Sequence, residues 1–166
     1  MRNVRKALNI FVDGRGYAGQ SEAFTAPKLT LKTEDFQGGG MFAPAEITMG
    51  HEKLAAELVL LSTDPDILGS FSVVEGKQVS ITAREALESH DGTVTPFVHT
   101  MRGKVKEIDL GESKPGEKTS TKVSLALTYY KLTHGARVVQ EIDIVNMVAI
   151  QDGVDVLAPI RSALGI

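Results

Sequence analysis

Two pairs of carboxylates stand two residues apart, Glu107 with Asp109 and Glu141 with Asp143. On an extended strand this spacing puts both members on one face, where one could give a proton and the other take it. No nucleophile accompanies either pair, and a charged strand face turned to solvent or to another chain accounts for them more simply. The four histidines, His51, His90, His99 and His134, are scattered and never fall at the close spacings that hold a metal. His90 and His134 sit at or near turn glycines, as solvated turn residues do. With no cysteine in the chain, disulfides, zinc–thiolate centres and a thiol nucleophile are excluded. Gly38-Gly39-Gly40 could offer backbone N–H groups to an anion. No Lys-Ser/Thr follows and no helix opens there, so it matches neither a P-loop nor a dinucleotide fingerprint. Arg102, Lys104 and Lys106 share a strand face without the interleaved aromatics of a nucleic-acid groove, and no nucleophile elbow occurs. These residues predict no catalytic centre, no metal site and no cofactor.

The elements around them are mostly strands. Leu8, Ile10 and Val12 alternate with Asn9 and Phe11 up to Asp13-Gly14, and Lys28 to Lys32 has the pattern of an edge strand. From Thr33 to Pro44 alternation stops, which predicts an extended loop over 33–44. Strand character returns at Glu46 to Met49 and continues through Leu54, Ala56, Leu58 and Leu60 on one face. Asp64-Pro65-Asp66 has the chemistry of a helix start, and Gly69 closes a short helix. Val79, Ile81 and Ala83 alternate next, and after His90-Asp91-Gly92 a long strand carries Phe97, His99, Met101 and Val105 on one side. A polar hairpin spans 109–119 with Lys114-Pro115-Gly116 at its apex. Beyond it Val123, Leu125, Leu127 and Tyr129 are expected on one face. A reversal at His134-Gly135 leads to a strand bearing Val138, Ile142 and Ile144 opposite Glu141 and Asp143. The last stretch, 154–165, has helical spacing, with Leu157, Ile160 and Leu164 facing inward, Arg161 outward, and Pro159 placing the helix start near Ala158. The fold expected is mainly β, an antiparallel barrel or sandwich with a short internal helix and a C-terminal helix, in one domain over 1–166.

A chain of 166 residues with a formal net charge of −3 has no global positive field to favour nucleic acid or an anionic membrane. The first residues include two arginines and a lysine but no apolar stretch of signal-peptide length, and no apolar run is long enough to span a bilayer. The subunit is expected to be soluble where it is made, without membrane insertion.

The run from Lys106 to Val148 resembles the matching region of major tail tube proteins from contractile-tailed bacteriophages and R-type pyocins. The likeness rests on Lys106-Glu107-Ile108-Asp109-Leu110-Gly111, then Tyr129-Tyr130-Lys131-Leu132, then Glu141-Ile142-Asp143-Ile144-Val145-Asn146. Asn9 to Gly14, Pro27-Lys28-Leu29, Gly39-Gly40-Met41 and the ending Ala163-Leu164-Gly165-Ile166 match in order, while Leu54 to Thr95 diverges most. The resemblance implies a structural virion protein, not an enzyme, whose hexameric rings stack into a hollow tube inside a contractile sheath. DNA would pass through the lumen without specific binding.

On that basis inter-subunit contacts are expected from Glu34, Asp35, Phe36, Gln37, Gly38, Gly39, Gly40 and Met41 in the extended loop. Glu107, Asp109, Glu112 and Lys114 around the second hairpin, and Glu141 and Asp143, are expected to join them. Asp155 and Arg161 are candidates for sheath contact. The resemblance implies further partners in the tail terminator, baseplate and tape-measure proteins, with assembly in the host cytoplasm. A tube of a DNA-free particle, an R-type pyocin or type VI secretion tube, would have the same fold. A ligand-binding or enzymatic β-barrel would instead be a monomer with an enclosed polar pocket.

Overall fold

A computed structural model describes residues 3–166. Strand β1 (Val4–Val12) alternates as the sequence predicts, burying Ile10 and Val12. It turns at Asp13-Gly14 into the two-residue β2 (Arg15–Gly16). Strand β3 (Ser21–Thr25) follows, then β4 (Leu31–Phe36), β5 (Ala45–His51) and β6 (Ala55–Leu60). Helix α1 (Pro65–Leu68) leads to β7 (Val79–Glu88), β8 (Val94–Asp109), β9 (Thr121–His134) and β10 (Arg137–Asp143). Strands β11 (Val148–Gln151) and β12 (Val154–Asp155) and helix α2 (Ala158–Leu164) complete the chain.

The main sheet runs in the order β12-β11-β10-β9-β8-β7-β1-β2, all antiparallel. Its backbone is the β8–β9 pair, and the second edge of β9 is divided between two partners. Residues Thr121–Ala126 pair with β6, and Tyr129–His134 pair with β10. β3 pairs with the far side of β6 and comes back beside β1, so the sheet curls around one core. Leu54, Leu58, Leu60, Ile81, Met101, Val123 and Leu125 are each at most 2% exposed. Side chains buried this completely contribute about 1.5–3 kcal/mol each relative to exposure.

The division of β9 depends on a β-bulge. Arg102 stands opposite Tyr129 but Gly103 opposite Leu127, leaving Thr128 unmatched. An odd extra residue shifts the two-residue side-chain period, so every later side chain changes face. Leu127 and Tyr130 therefore both point into the core, and Tyr129 turns outward. The strict alternation expected to bury Tyr129 is corrected by this one residue.

α1 is capped as expected. The Asp64 carboxylate accepts from the Asp66 N–H at 2.8 Å, Pro65 starts the helix, and the Tyr17 hydroxyl donates to the other Asp64 oxygen at 3.0 Å. Four residues do not hold a helix unaided, and the buried Ile67 anchors this one to the core.

Two further expectations fail. Thr33–Phe36 is not loop but the last four residues of β4, in ladder with β5. Both faces of this hairpin are wet, so its strands carry little of the alternation that marks a strand packed on a core. In α2 the expected faces hold only at Leu157, which is half-buried; Arg161 is half-buried too, while Ile160 and Leu164 are 50% and 60% exposed. The helix is tied down by polar bonds instead. Arg161 Nη1 donates to the Met147 carbonyl at 2.7 Å and Nη2 pairs with Asp155. Gly165 ends the helix at φ 76°, in the left-handed region that suits glycine.

Candidate functional site

The β4–β5 hairpin projects from the body as an arm. Among the described residues the two strands pair only with each other, and every residue in both is exposed. Its tip, 37–44, is held by the Met41 N–H donating to the Gly38 carbonyl and by Gln37 Nε2 donating to the Met41 carbonyl. Directly opposed residues of an antiparallel pair share a face. Phe36 opposite Ala45 and Glu34 opposite Ile47 define one face, to which the bulged Met49 adds. Asp35 opposite Glu46 and Thr33 opposite Thr48 define the other. The first face is largely apolar and stands in solvent: Phe36, Ile47 and Met49 are about half exposed and Phe42 at the tip is 105% exposed. Isolated two-stranded hairpins are marginal in water, and an apolar face with no cover from its own chain marks an interaction surface.

The structure places Glu34, Asp35 and Phe36 on β4 and Gln37, Gly38, Gly39, Gly40 and Met41 in the tip, so this group is brought together. The remaining predicted residues lie elsewhere. Glu107 and Asp109 stand on one face at the end of β8, opposite Ser124 and Lys122. Asp109 Oδ1 accepts from the Gly111 N–H at 2.8 Å and closes a turn. Glu112 and Lys114 pair with each other at 3.7 Å in the loop between β8 and β9.

Glu141 accepts from the Tyr129 hydroxyl at 2.8 Å, and Asp143 is bound by the backbone and side-chain nitrogens of Asn146. Partial burial, followed by this contact with Glu141, pushes the Tyr129 phenol up to about 12. Asp155 and Arg161 are engaged with each other. The Arg161 hydrogen bond holds the Asp155 carboxyl below its ordinary value, and Asp155 raises Arg161 in return.

A polar cluster in the core escaped the sequence reading. Glu85, His99 and Tyr130 are 6%, 3% and 2% exposed. His99 Nδ1 lies 2.9 Å from the Tyr130 hydroxyl, and its Nε2 lies 3.5 Å from Glu85 Oε2. Glu85 Oε1 lies 3.3 Å from Arg5 Nε of β1. Phe24 and Phe97 wall the imidazole, with ring centroids 5.1 and 4.8 Å away. Burial lowers the His99 pKa against the opposing pull of Glu85, and burial pushes Tyr130 up to about 12. The only sequence signal for it was polarity at positions whose neighbours alternate as core, Glu85 after Ala83 and His99 before Met101.

Nothing in this cluster opens to a substrate. Among the described residues no group of three His, Asp or Glu could hold a metal ion, and no helix is long and apolar enough to cross a membrane. One open concavity of about 370 Å3 lies between the β1–β2 turn and α1, and a second of about 450 Å3 is enclosed by the 110–120 loop. Neither contains the Glu85–His99–Tyr130 cluster.

The described residues form a mainly β body that carries an exposed two-stranded arm. The family model for phage tail tube protein FII matches residues 2–165, and the chain belongs to that family. It is 34% identical over 165 residues to the tail tube protein of Escherichia phage P2, covering 97% of this chain and 96% of that protein. It is 32% identical over 165 residues to the major tail tube protein of Serratia phage KSP20, covering 97% of this chain and 95% of that one. A chain in the cryo-EM structure of the anti-feeding prophage (AFP) baseplate aligns over 76% of this chain and 90% of its own, at 11% identity and a TM-score of 0.48. The protein is a structural subunit and not an enzyme.

Proposed function

We propose that this protein builds the inner tube of a contractile phage tail, with hexameric rings stacking into a hollow conduit for DNA ejection into the host. The supporting observation is the β4–β5 arm. It offers Phe36, Met41, Phe42, Ile47 and Met49 to solvent, and among the described residues no other strand pairs with it. Lying across a neighbouring copy, the arm would bury that face. The main sheet also ends in strands that invite pairing. Among the described residues the outer side of β1 is bonded at its end, at Ile10, Phe11 and Val12, and β12 is outermost at the other end of the sheet. Head-to-tail contacts between unlike edges close into rings, whereas stacking along the axis stays open and grows a tube. Six subunits per ring follow from the family resemblance.

Partners in this reading are further copies of the chain, the contractile sheath, and the tail terminator, baseplate and tape-measure proteins. The protein would reside in the virion after assembly in the host cytoplasm. No catalytic group is required. The net charge of −3, repeated around each ring, disfavours adhesion of DNA phosphates. Electron microscopy of the purified protein over a concentration series tests the proposal: rings or tubes are expected, and a lone protomer at every concentration overturns it.

A further inference from the structure

The Glu85–His99–Tyr130 cluster lies beneath a weakly held strand. Two phenyl rings wall the imidazole, and their backbones are anchored very differently. Phe97 belongs to β8 and stands between β7 and β9, opposite Glu85 on one side and His134 on the other. Phe24 belongs to β3, which among the described residues pairs with β6 alone, and that short ladder is irregular between Ser21 and Ala23. Within β3 only Ser21 and Phe24 are half-buried, and Phe24 is its one large side chain packed against the core. Beyond it Pro27 is buried, and residues 28–30 run exposed into the arm.

Inside the closed cluster a second ring proton has no place. His99 Nδ1 is occupied by the Tyr130 hydroxyl. His99 Nε2 and Glu85 Oε2 lie 3.5 Å apart, and neither atom has a hydrogen-bond partner. Glu85 is already shared with another cation, Arg5 of β1, 3.3 Å from its other oxygen. His134 of β9 lies beyond Phe97, and the group that β3 turns to the ring, Phe24, carries no charge. A buried cation must be hydrated or fully paired. Local opening draws on the elements with the fewest pairings and the least buried surface, so the wall that yields first is Phe24.

We infer that this cluster is a proton-sensitive latch on β3: charging His99 moves Phe24 off the imidazole, admits water and frees β3, while β7, β8 and β9 stay paired. The neutral ring holds the strand shut. Burial lowers the His99 pKa in the closed state, so the open state takes up the proton more readily and opening increases as pH falls. The latch goes beyond the tube reading and does not depend on it.

Amide exchange on the full chain, corrected for the intrinsic effect of pH, tests the latch. Between pH 7.5 and pH 5, exchange over 21–25 should accelerate about fivefold or more relative to β8 and β9. His99→Gln has no proton to gain there and should lose this response. No acceleration, equal acceleration in β3, β8 and β9, or a full response in His99→Gln would each overturn the latch. Because that variant alters the core, NMR of the wild type supplies a second measurement. The nuclear Overhauser contact between the Phe24 and His99 rings should fade as His99 takes up its second proton. A protonated ring that keeps its contact with Phe24 overturns the latch. Neither measurement requires tubes, so failure of the tube reading would leave both results standing.

Discussion

His99 and Tyr130 face each other 2.9 Å apart between imidazole Nδ1 and phenol oxygen, both closed off from solvent. With the phenol as donor, Nδ1 accepts and the ring proton sits on Nε2, 3.5 Å from Glu85 Oε2 and without a hydrogen-bond partner there. A neutral imidazole fits this arrangement. A second ring proton would occupy Nδ1, and the Tyr130 hydroxyl would lose its acceptor inside the core.

Stability is therefore expected to fall on acidification. The groups around His99 are Glu85 of β7, Tyr130 of β9, Arg5 of β1 through Glu85, and His134 beyond Phe97. Burial holds the folded His99 below its ordinary value, so the unfolded chain binds the proton more readily. The contribution is complete above the ordinary imidazole range. It is lost as pH drops through about 6.5 toward the lower folded value. Thermal unfolding at pH 7.5 and pH 5 should show a lower Tm in acid, with a smaller pH difference in His99→Gln. An equal pH difference in the two proteins would assign the effect to other groups.

Gly103 is expected to tolerate no side chain. A Cβ there would lie 2.2 Å from the Ala126 carbonyl oxygen, and backbone in a central ladder has little room to yield. Gly103→Ala should cost about 3 kcal/mol, or abolish folding. Gly39→Ala in the arm tip, where nothing lies within 4 Å, should change stability by less than about 0.5 kcal/mol. Denaturant unfolding of both variants measures the contrast.

These sites also show what the sequence could and could not disclose. β7 was legible because Val79, Ile81 and Ala83 point inward and its outer face stays polar, and α1 because Asp64-Pro65 is a local cap needing no tertiary contact. The Tyr129–Tyr130 inversion was not legible, since a bulge is a property of a pair of strands and Thr128 carries no mark of it. Glu46–Met49 was legible as strand in β5, but Thr33–Phe36 of β4 was missed because alternation reports a core, and this hairpin has none of its own. The Arg161 face was misjudged because hydrophobicity was expected to seat α2. Its seat is a carboxylate and a carbonyl, Asp155 and Met147.

That seating gives a prediction for the C-terminus. Arg161→Ala removes two charge-assisted hydrogen bonds, while the exposed Ile160 and Leu164 cannot compensate by burial. Amide exchange over 158–166 should accelerate by about tenfold or more, consistent with about 1.5–3 kcal/mol for bonds to a charged group, with exchange in β8 and β9 unchanged. Unaltered protection of α2 would show that contacts other than Arg161 hold it.

The arm separates folding from assembly most cleanly. Phe36, Ile47 and Met49 are about half exposed and lie outside the buried core, so replacing Phe36 and Ile47 by Ser removes no core contact and should leave Tm nearly unchanged. If these side chains are buried only against another copy, the same replacements should sharply reduce tube formation. Each large apolar side chain withdrawn from such an interface forfeits about 1.5–3 kcal/mol per subunit, repeated at every copy along the tube. Sedimentation beside thermal unfolding distinguishes the cases. A stable protomer that no longer sediments as tubes supports the arm as the assembly element. A variant that still assembles at wild-type concentration would move the interface elsewhere on the subunit.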